Sequence, residues 1–423
     1  MNKLLTYILL PLAILLLTAC QGEDEDAVTA PNAPLQESEY RTHPGRRTII
    51  AYITGDNDIS SSLANDIREM VAGSSSLPSD CRLLVLADVN GQKPYIAHIR
   101  NNALVKVKEY TNDFYTTSPD SMRSVFQWII DNYPSAEYAA VLGGHGSGPL
   151  IRTDTIASNP IKLYAYGYDA AGEVSATSVP KWINFPSIAN ALSNLKDSNG
   201  NSIKMAYLFF DCCCCQSVEV AYELRNVAEY VIAPISEAPG DGAPYDEMLP
   251  ALCLDKDTVA EAVVNTYTKD NALCISGVRT EGLEALLKVT KSTLKKLYKG
   301  TDRLELNTDH CIYYYKGIET GTTRTPALHD MKHLLKINLP TDDYAQWLPY
   351  FENVVVTKRL ATRWKSDLDI NFYLFQDFLT DEYYGGLSMI APSSAYDEHH
   401  SAINTTMFQL QWCNAVGWHE WGW

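Results

Sequence analysis

At 423 residues the chain exceeds one small domain, yet it suits a single large α/β unit with an appended subdomain. Its 51 acidic and 34 basic residues leave a net charge of −17, which sets aside nucleic acid as a partner because phosphates demand clustered Lys and Arg. An apolar share of 46% is ordinary for a globular protein and can fill a sizeable core.

Lys3 opens the chain, residues 4–17 are nearly all apolar, and the run ends Leu17-Thr18-Ala19-Cys20. This pattern predicts a signal peptide over residues 1–19 rather than a membrane span. A Cys directly after Leu-x-Ala resembles the bacterial lipobox. The resemblance implies that Cys20 becomes the lipidated N-terminus, so that a bacterial envelope membrane is a partner reached through acyl chains. The cluster Gln21-Gly22-Glu23-Asp24-Glu25-Asp26 resembles the acidic export tag of Bacteroides-type surface lipoproteins, and it reads equally as a solvated spacer. Residues 20–46 are rich in Pro, Thr, Ala and charge without periodicity, which predicts a disordered tether.

The folded part opens with a β-branched run at 48–53, predicting a buried strand that breaks at Thr54-Gly55-Asp56-Asn57-Asp58. A second strand is expected at 82–89 and a hairpin at 94–110. Ser118-Pro119-Asp120 predicts a helix start, followed by one apolar face of Val125, Phe126, Ile129, Ile130 and Tyr133. Strands are then expected at 138–142, 205–210, 230–233 and 272–278, with a helix beginning near Ser217. Apolar strands alternating with amphipathic helices predict a mainly parallel sheet covered on both faces, spanning residues 47–282. Residues 283–423 read as a C-terminal extension packed on that core.

Two of these strands end in reactive residues, and ligands of open α/β sheets sit at the carboxyl ends of strands. One ends in Gly143-Gly144-His145-Gly146-Ser147-Gly148, where glycines let backbone approach a ligand closely. By itself Gly-His-Gly is more often a turn. The other ends in Asp211-Cys212-Cys213-Cys214-Cys215 just before a helix, whose N-terminus is expected to favour a thiolate. A Cys and a His at neighbouring strand tips form the pair that a thiol protease needs.

His-Gly at one strand end, then Phe210-Asp211-Cys212-Cys213 leading into Ser217-Val218-Glu219-Val220-Ala221-Tyr222-Glu223-Leu224, resembles the clostripain-like cysteine peptidases, relatives of caspases, gingipains and legumain. The likeness continues through Ser236-Glu237-Ala238-Pro239-Gly240, Pro244-Tyr245-Asp246 and Gly386-Leu387-Ser388-Met389-Ile390-Ala391-Pro392. It implies a caspase-like three-layer α/β sandwich and an endopeptidase acting on peptides or proteins. Its dyad would be His145 and Cys213, with the backbone N–H groups of Gly146 and Cys213 as oxyanion donors. The family's Asp-x-Cys spacing selects Cys213 from the four. Strand alternation supports this, since Asp211 and Cys213 would share a face. Cysteines at 212, 214 and 215 depart from the family's usual small and apolar residues. The resemblance further assigns Asp211 and, less directly, Asp241 to a pocket for Arg or Lys. Asp241 otherwise reads as a turn residue before Gly242. Self-cleavage within 151–186, which contains Arg152, Lys162 and Lys181, is also implied. No cofactor is required, and calcium dependence is known in the family, although no calcium loop is recognisable. The competing reading is a catalytically silent surface lipoprotein that uses a peptidase fold for binding.

Ten cysteines in an exported chain invite a disulfide framework, but four are contiguous and Cys20 is the lipid site. Cys81, Cys253, Cys274, Cys311 and Cys413 read as buried small hydrophobes. Consecutive cysteines splay to both sides of an extended chain and cannot all reach one zinc ion, so no metal is expected there.

Overall fold

The computed structural model describes residues 36–149, 166–170, 181–268, 273–300, 302–315, 318–320, 323–325, 327–361, 364–365, 373–374, 380–397 and 402–423. The predicted signal peptide, Cys20, the acidic cluster, Arg152 and Lys162 lie outside these residues. Residues 37–40, which the sequence places in the tether, form a short helix α1 (Glu37–Tyr40). Its Glu37 accepts from the Tyr133 hydroxyl at 2.5 Å and pairs with His98 Nδ1 at 3.1 Å.

The apolar runs become β1 (Gly45–Gly55), β2 (Cys81–Val89) and β5 (Ser135–Gly143), with α2 (Ser60–Gly73), the hairpin β3 (Tyr95–Arg100) and β4 (Ala103–Glu109), and α3 (Pro119–Asn132) between them. A small ribbon of β6 (Tyr166–Asp169) and β7 (Lys181–Ile183) precedes α4 (Phe185–Ser193). Then come β8 (Leu208–Asp211), α5 (Val218–Leu224), β9 (Tyr230–Pro234), α6 (Tyr245–Leu252), α7 (Lys256–Tyr267), β10 (Ile275–Arg279) and α8 (Leu283–Leu297). The strand Val355–Arg359, β10, β9, β8, β5, β1, β2, β3 and β4 lie side by side in one nine-stranded sheet. The five strands from β9 to β2 run parallel, and antiparallel strands flank them at both ends.

Alternation along β1 sends Ile49, Ala51 and Ile53 into the core beneath α2, α6 and α7, while Ile50 and Tyr52 enter the core with α3 and α4. Both faces are buried, which is why these strands read as continuous apolar runs. The α/β sandwich expected from the sequence is present. Residues after 283 build a third core around buried Trp347, Trp412, Trp418 and Trp421 and also supply the sheet's outer strand, Val355–Arg359. The helix start expected at Ser118-Pro119-Asp120 is present. Ser118 precedes α3, but its side chain makes no capping bond, and its carbonyl receives Met122 N at 2.9 Å instead.

One buried acid gives this core a pH signature. Asp88, at the end of β2, accepts from Thr116 Oγ1 at 2.8 Å, while its Oδ1 has no hydrogen-bond partner. Burial, reinforced by the neighbouring charge of Asp169, pushes its pKa up to about 8. A carboxyl whose folded pKa is raised favours folding below its unfolded pKa of about 3.9, and that contribution is lost as pH rises through about 8. The melting temperature should therefore fall between pH 5 and pH 9, and Asp88→Asn should flatten that fall. Superimposable melting profiles for the two proteins would count against this account.

Candidate active site

Sheet register brings the reactive loops together. Ile53 of β1 pairs with Gly143 of β5, and Gly143 pairs with Asp211 of β8, so β5 and β8 end level with each other and two residues short of the end of β1. The tip of β1 with the turn after it, 54–58, lies beside the segments 144–148 and 212–217. Gly146 shows how tightly they meet. A Cβ there would lie 2.7 Å from the Cys213 carbonyl oxygen, 2.8 Å from Cys212 Sγ and 2.9 Å from Cys215 Sγ. Only glycine lets the histidine loop seat against the cysteine loop.

His145 is half-buried and fixed at both ends. Its carbonyl accepts Gly167 N at 2.8 Å, and its Nε2 meets Asp58 Oδ1 at 2.7 Å. The rings of Tyr168 and Trp182 stand 6.0 and 6.1 Å away. The turn carrying Asp58 is itself tied down, because Asn57 Nδ2 donates to Thr54 O at 3.0 Å and to Tyr168 O at 2.7 Å. In the sequence Asp58 is only part of a turn. The available signal was an acid at the tip of an apolar strand, but that signal means nothing until β1 is known to lie beside β5.

The four cysteines separate cleanly. Cys212 enters the core shared by α3 and α4, and Cys214 enters the C-terminal core. Burial raises both thiols well above the usual range. Cys212 Sγ lies 3.0 Å from Cys215 Sγ, and Cys215 is fully buried. Cys213 alone among the four is partly exposed, and its Sγ receives the Ala238 N–H at 3.3 Å. A donor on sulfur favours the thiolate. The helix expected to begin near Ser217 starts at Val218, with Ser217 Oγ accepting Val220 N at 3.2 Å, which leaves residues 214–217 between it and the thiol. An extra turn intervenes because Cys214 adopts a left-handed φ of 57°. The helix dipole fades within one turn of its end, and α5 begins only at Val218.

The tail motif braces this loop. Ser388 N and Oγ both donate to Gln216 O, at 3.2 and 3.1 Å, and Ile390 N donates to Glu219 Oε1 at 2.8 Å. Cys214 N bonds Ser236 O at 3.0 Å, and Gln216 Nε2 reaches Val231 O and Ser276 O.

Of the expected pocket acids, Asp211 is buried on the side of β8 covered by α6 and α7. Its Oδ2 accepts Ala243 N at 3.0 Å and the Tyr245 hydroxyl at 2.8 Å, and its Oδ1 accepts the Tyr267 hydroxyl at 2.5 Å. Tyr267 also lies within electrostatic reach of Cys213. Asp241 is exposed on the loop after β9. Among the described residues no group of three or more His, Cys, Asp or Glu side chains is placed to hold a metal ion. The nine described cysteines are all free, and Cys81, Cys253, Cys274, Cys311 and Cys413 are buried as expected.

The profile of the clostripain family matches residues 51–360. Clostripain of Hathewaya histolytica is 24% identical over 230 residues, which make up 48% of this chain and 41% of that protein. The chain thus spans less than half the length of this curated relative. Among solved structures, a secreted C11 cysteine protease from Bacteroides thetaiotaomicron in complex with an irreversible peptide inhibitor superposes with a TM-score of 0.70. It is 24% identical, and the match covers 89% of this chain and all of that one. An inactive zymogen C11 protease from Parabacteroides distasonis also gives 0.70, at 18% identity over 88% of this chain and 99% of its own. At these identities the structures show a shared fold, and together with the profile, which covers most of the chain, they place this protein in the clostripain family.

Proposed function

We propose that this chain is a cysteine endopeptidase that cuts after Arg or Lys. The observation that carries the reading is Cys213: a partly exposed thiol with a backbone N–H on its sulfur, on the loop that Gly146 of the histidine loop abuts. The Cys213 thiolate attacks the scissile carbonyl carbon, and the C–S bond forms as an electron pair moves onto oxygen. The N–H groups of Gly146 and Cys213 hold that oxyanion. His145 protonates the departing amine, and the C–N bond breaks to leave a thioester. Water then attacks the thioester while His145 takes its proton, and breakage of the C–S bond releases the acid and restores the Cys213 thiolate beside protonated His145. Every group in this sequence belongs to the chain itself, so no cofactor enters the reaction.

Asp58 holds Nε2 and leaves Nδ1 facing the chemistry. Because Asp58 is largely exposed, the bond is worth little in energy, and its role is orientation. Asp58→Asn should lower kcat roughly 2- to 10-fold with KM nearly unchanged, in line with the ~1 kcal/mol reach of an exposed pair.

The test of the function is a panel of Arg, Lys and Asp fluorogenic peptides, with and without a thiol alkylator. Cleavage of the Arg and Lys peptides that the alkylator abolishes supports the reading. A folded protein that neither cleaves them nor takes up an active-site thiol probe is instead the silent surface binder.

The Leu-x-Ala-Cys match supports an envelope lipoprotein anchored through Cys20, with peptides or proteins as its substrates and the membrane as its second partner. Cys20→Ser should abolish incorporation of labelled fatty acid and release the protein from membranes. A variant that still sediments with membranes would refute the anchor.

A further inference from the structure

We infer that Asp66 is a third carboxylate of the substrate pocket, supplying the oxygen on which the guanidinium or ammonium of a basic substrate closes. The inference rests on the basic-pocket reading above and extends it to a residue on a different element. Asp66 lies on α2, on the same face as Leu63, Ile67 and Met70, which pack into the core. An acid has no packing reason to stand on such a stripe. It is nevertheless only 2% exposed, and its Oδ1 has no hydrogen-bond partner.

The contrast with Asp211 points to a ligand. Asp211 is held by three donors, from Ala243, Tyr245 and Tyr267. The charges bearing on Asp66 are all negative: Asp211 on β8, Glu69 one turn along α2 and Asp241 on the loop after β9. The hydroxyls of Tyr245 on α6 and Tyr267 on α7 complete its polar surroundings, and both are committed to Asp211. A buried anion with an open lone pair and only anions around it is costly unless a proton or a cation compensates it.

Gly242 keeps the place open. Its φ of +69° suits glycine, and a Cβ there would lie 3.1 Å from Asp66 Oδ1, 3.2 Å from Asp66 Oδ2 and 3.2 Å from Asp211 Oδ2. Both carboxylates therefore converge on the Gly242 backbone, with no side chain between them at that residue. A guanidinium fits such a pair because it presents several N–H donors in one plane, and an ammonium presents three.

Without substrate, burial and then the charge of Asp211 push the Asp66 carboxyl up to about 9, so near neutral pH it holds a proton. When a cation enters, that proton passes to solvent and the carboxylate takes the cation's N–H bonds. Binding of a basic side chain should thus release one proton and tighten as pH rises toward 9.

Two measurements test this. With Cys213→Ala protein, which cannot turn substrate over, ethylguanidinium should raise the melting temperature more at pH 8 than at pH 6. Adding Asp66→Asn, close in shape to the acid, should remove that difference. In active protein, Asp66→Asn should raise KM for Arg peptides at least roughly tenfold at pH 8, leave KM for matched Gln peptides unchanged, and flatten the pH dependence of KM. Gly242→Ala, which caps both carboxylates with a methyl group, should weaken Arg peptides in the same way without touching either acid. Unchanged Arg-to-Gln ratios and pH profiles in both variants of a parent that cleaves Arg peptides would overturn the role of Asp66 alone. A parent that turns over peptides but shows no preference for basic residues would overturn the pocket reading beneath it.

Discussion

Cys213→Ala should abolish peptide turnover, whereas Cys212→Ala and Cys214→Ala should keep a substantial part of it. Removing a nucleophile takes away the covalent route itself, so the expected fall in kcat is at least ~10⁴-fold. The neighbours play a different part. Cys212 is buried against the α3 and α4 side of the sheet, and Cys214 lies in the C-terminal core with its amide tied to Ser236 O at 3.0 Å. Burial keeps both thiols protonated, and trimming either to Ala removes one sulfur from a packed site, a cost of about 1 kcal/mol in stability rather than a lost step. Steady-state rates on one Arg peptide, normalised to a thiol-probe titration of active sites, separate the cases. A Cys212→Ala protein that is folded, inactive and unlabelled would move the nucleophile one residue and undo the register argued above.

Asp211→Asn should cost Arg peptides far more than matched Gln peptides. The carboxylate sits two residues before Cys213 and is only 6% exposed, so water screens it poorly. Its three donors hold the charge in place rather than neutralise it, and one acceptor position remains for a substrate N–H. Asn retains the shape but loses the charge. It must turn its oxygen toward Ala243 N and Tyr245, because an amide cannot accept on its nitrogen, and so presents N–H to Tyr267. Losing one partner of a desolvated charge pair typically costs about 2–5 kcal/mol, which corresponds to roughly 30- to several-thousand-fold in the specificity constant. Asp241→Asn should act in the same direction but weakly, since Asp241 is exposed and more fully screened. The measurement is the ratio of kcat/KM for the two peptides in each variant. A ratio unchanged by Asp211→Asn would remove the basic pocket and leave the peptidase chemistry intact.

The central strands were legible because a strand buried on both faces must be apolar throughout, and no other short element needs that composition. His145 and Cys213 were legible for a related reason: each interrupts or ends such a run, at the strand end where a doubly covered sheet opens. The family motif then chose Cys213, and the structure adds the physical contrast of one partly exposed thiol between buried ones. The start of α5 near Ser217 was legible as well, but the turn just before it was not. A cysteine with positive φ at 214 inserts a turn that residue propensities do not announce.

The chain order by itself determined the layered α/β core and the two strand tips that carry His145 and the cysteine run, both of which depend on residues close in sequence. Only the tertiary structure decided that Asp58 meets His145, that Asp66 faces Asp211, and that Ser388 and Ile390 brace the cysteine loop. Those partners are 87, 145 and about 170 residues apart. They meet because β1 lies between β5 and β2, because α2 packs beside α6 in the core that β8 also enters, and because the tail returns to α5. Strand order and helix crossing are set by how whole faces bury one another, and no short stretch of sequence carries that information.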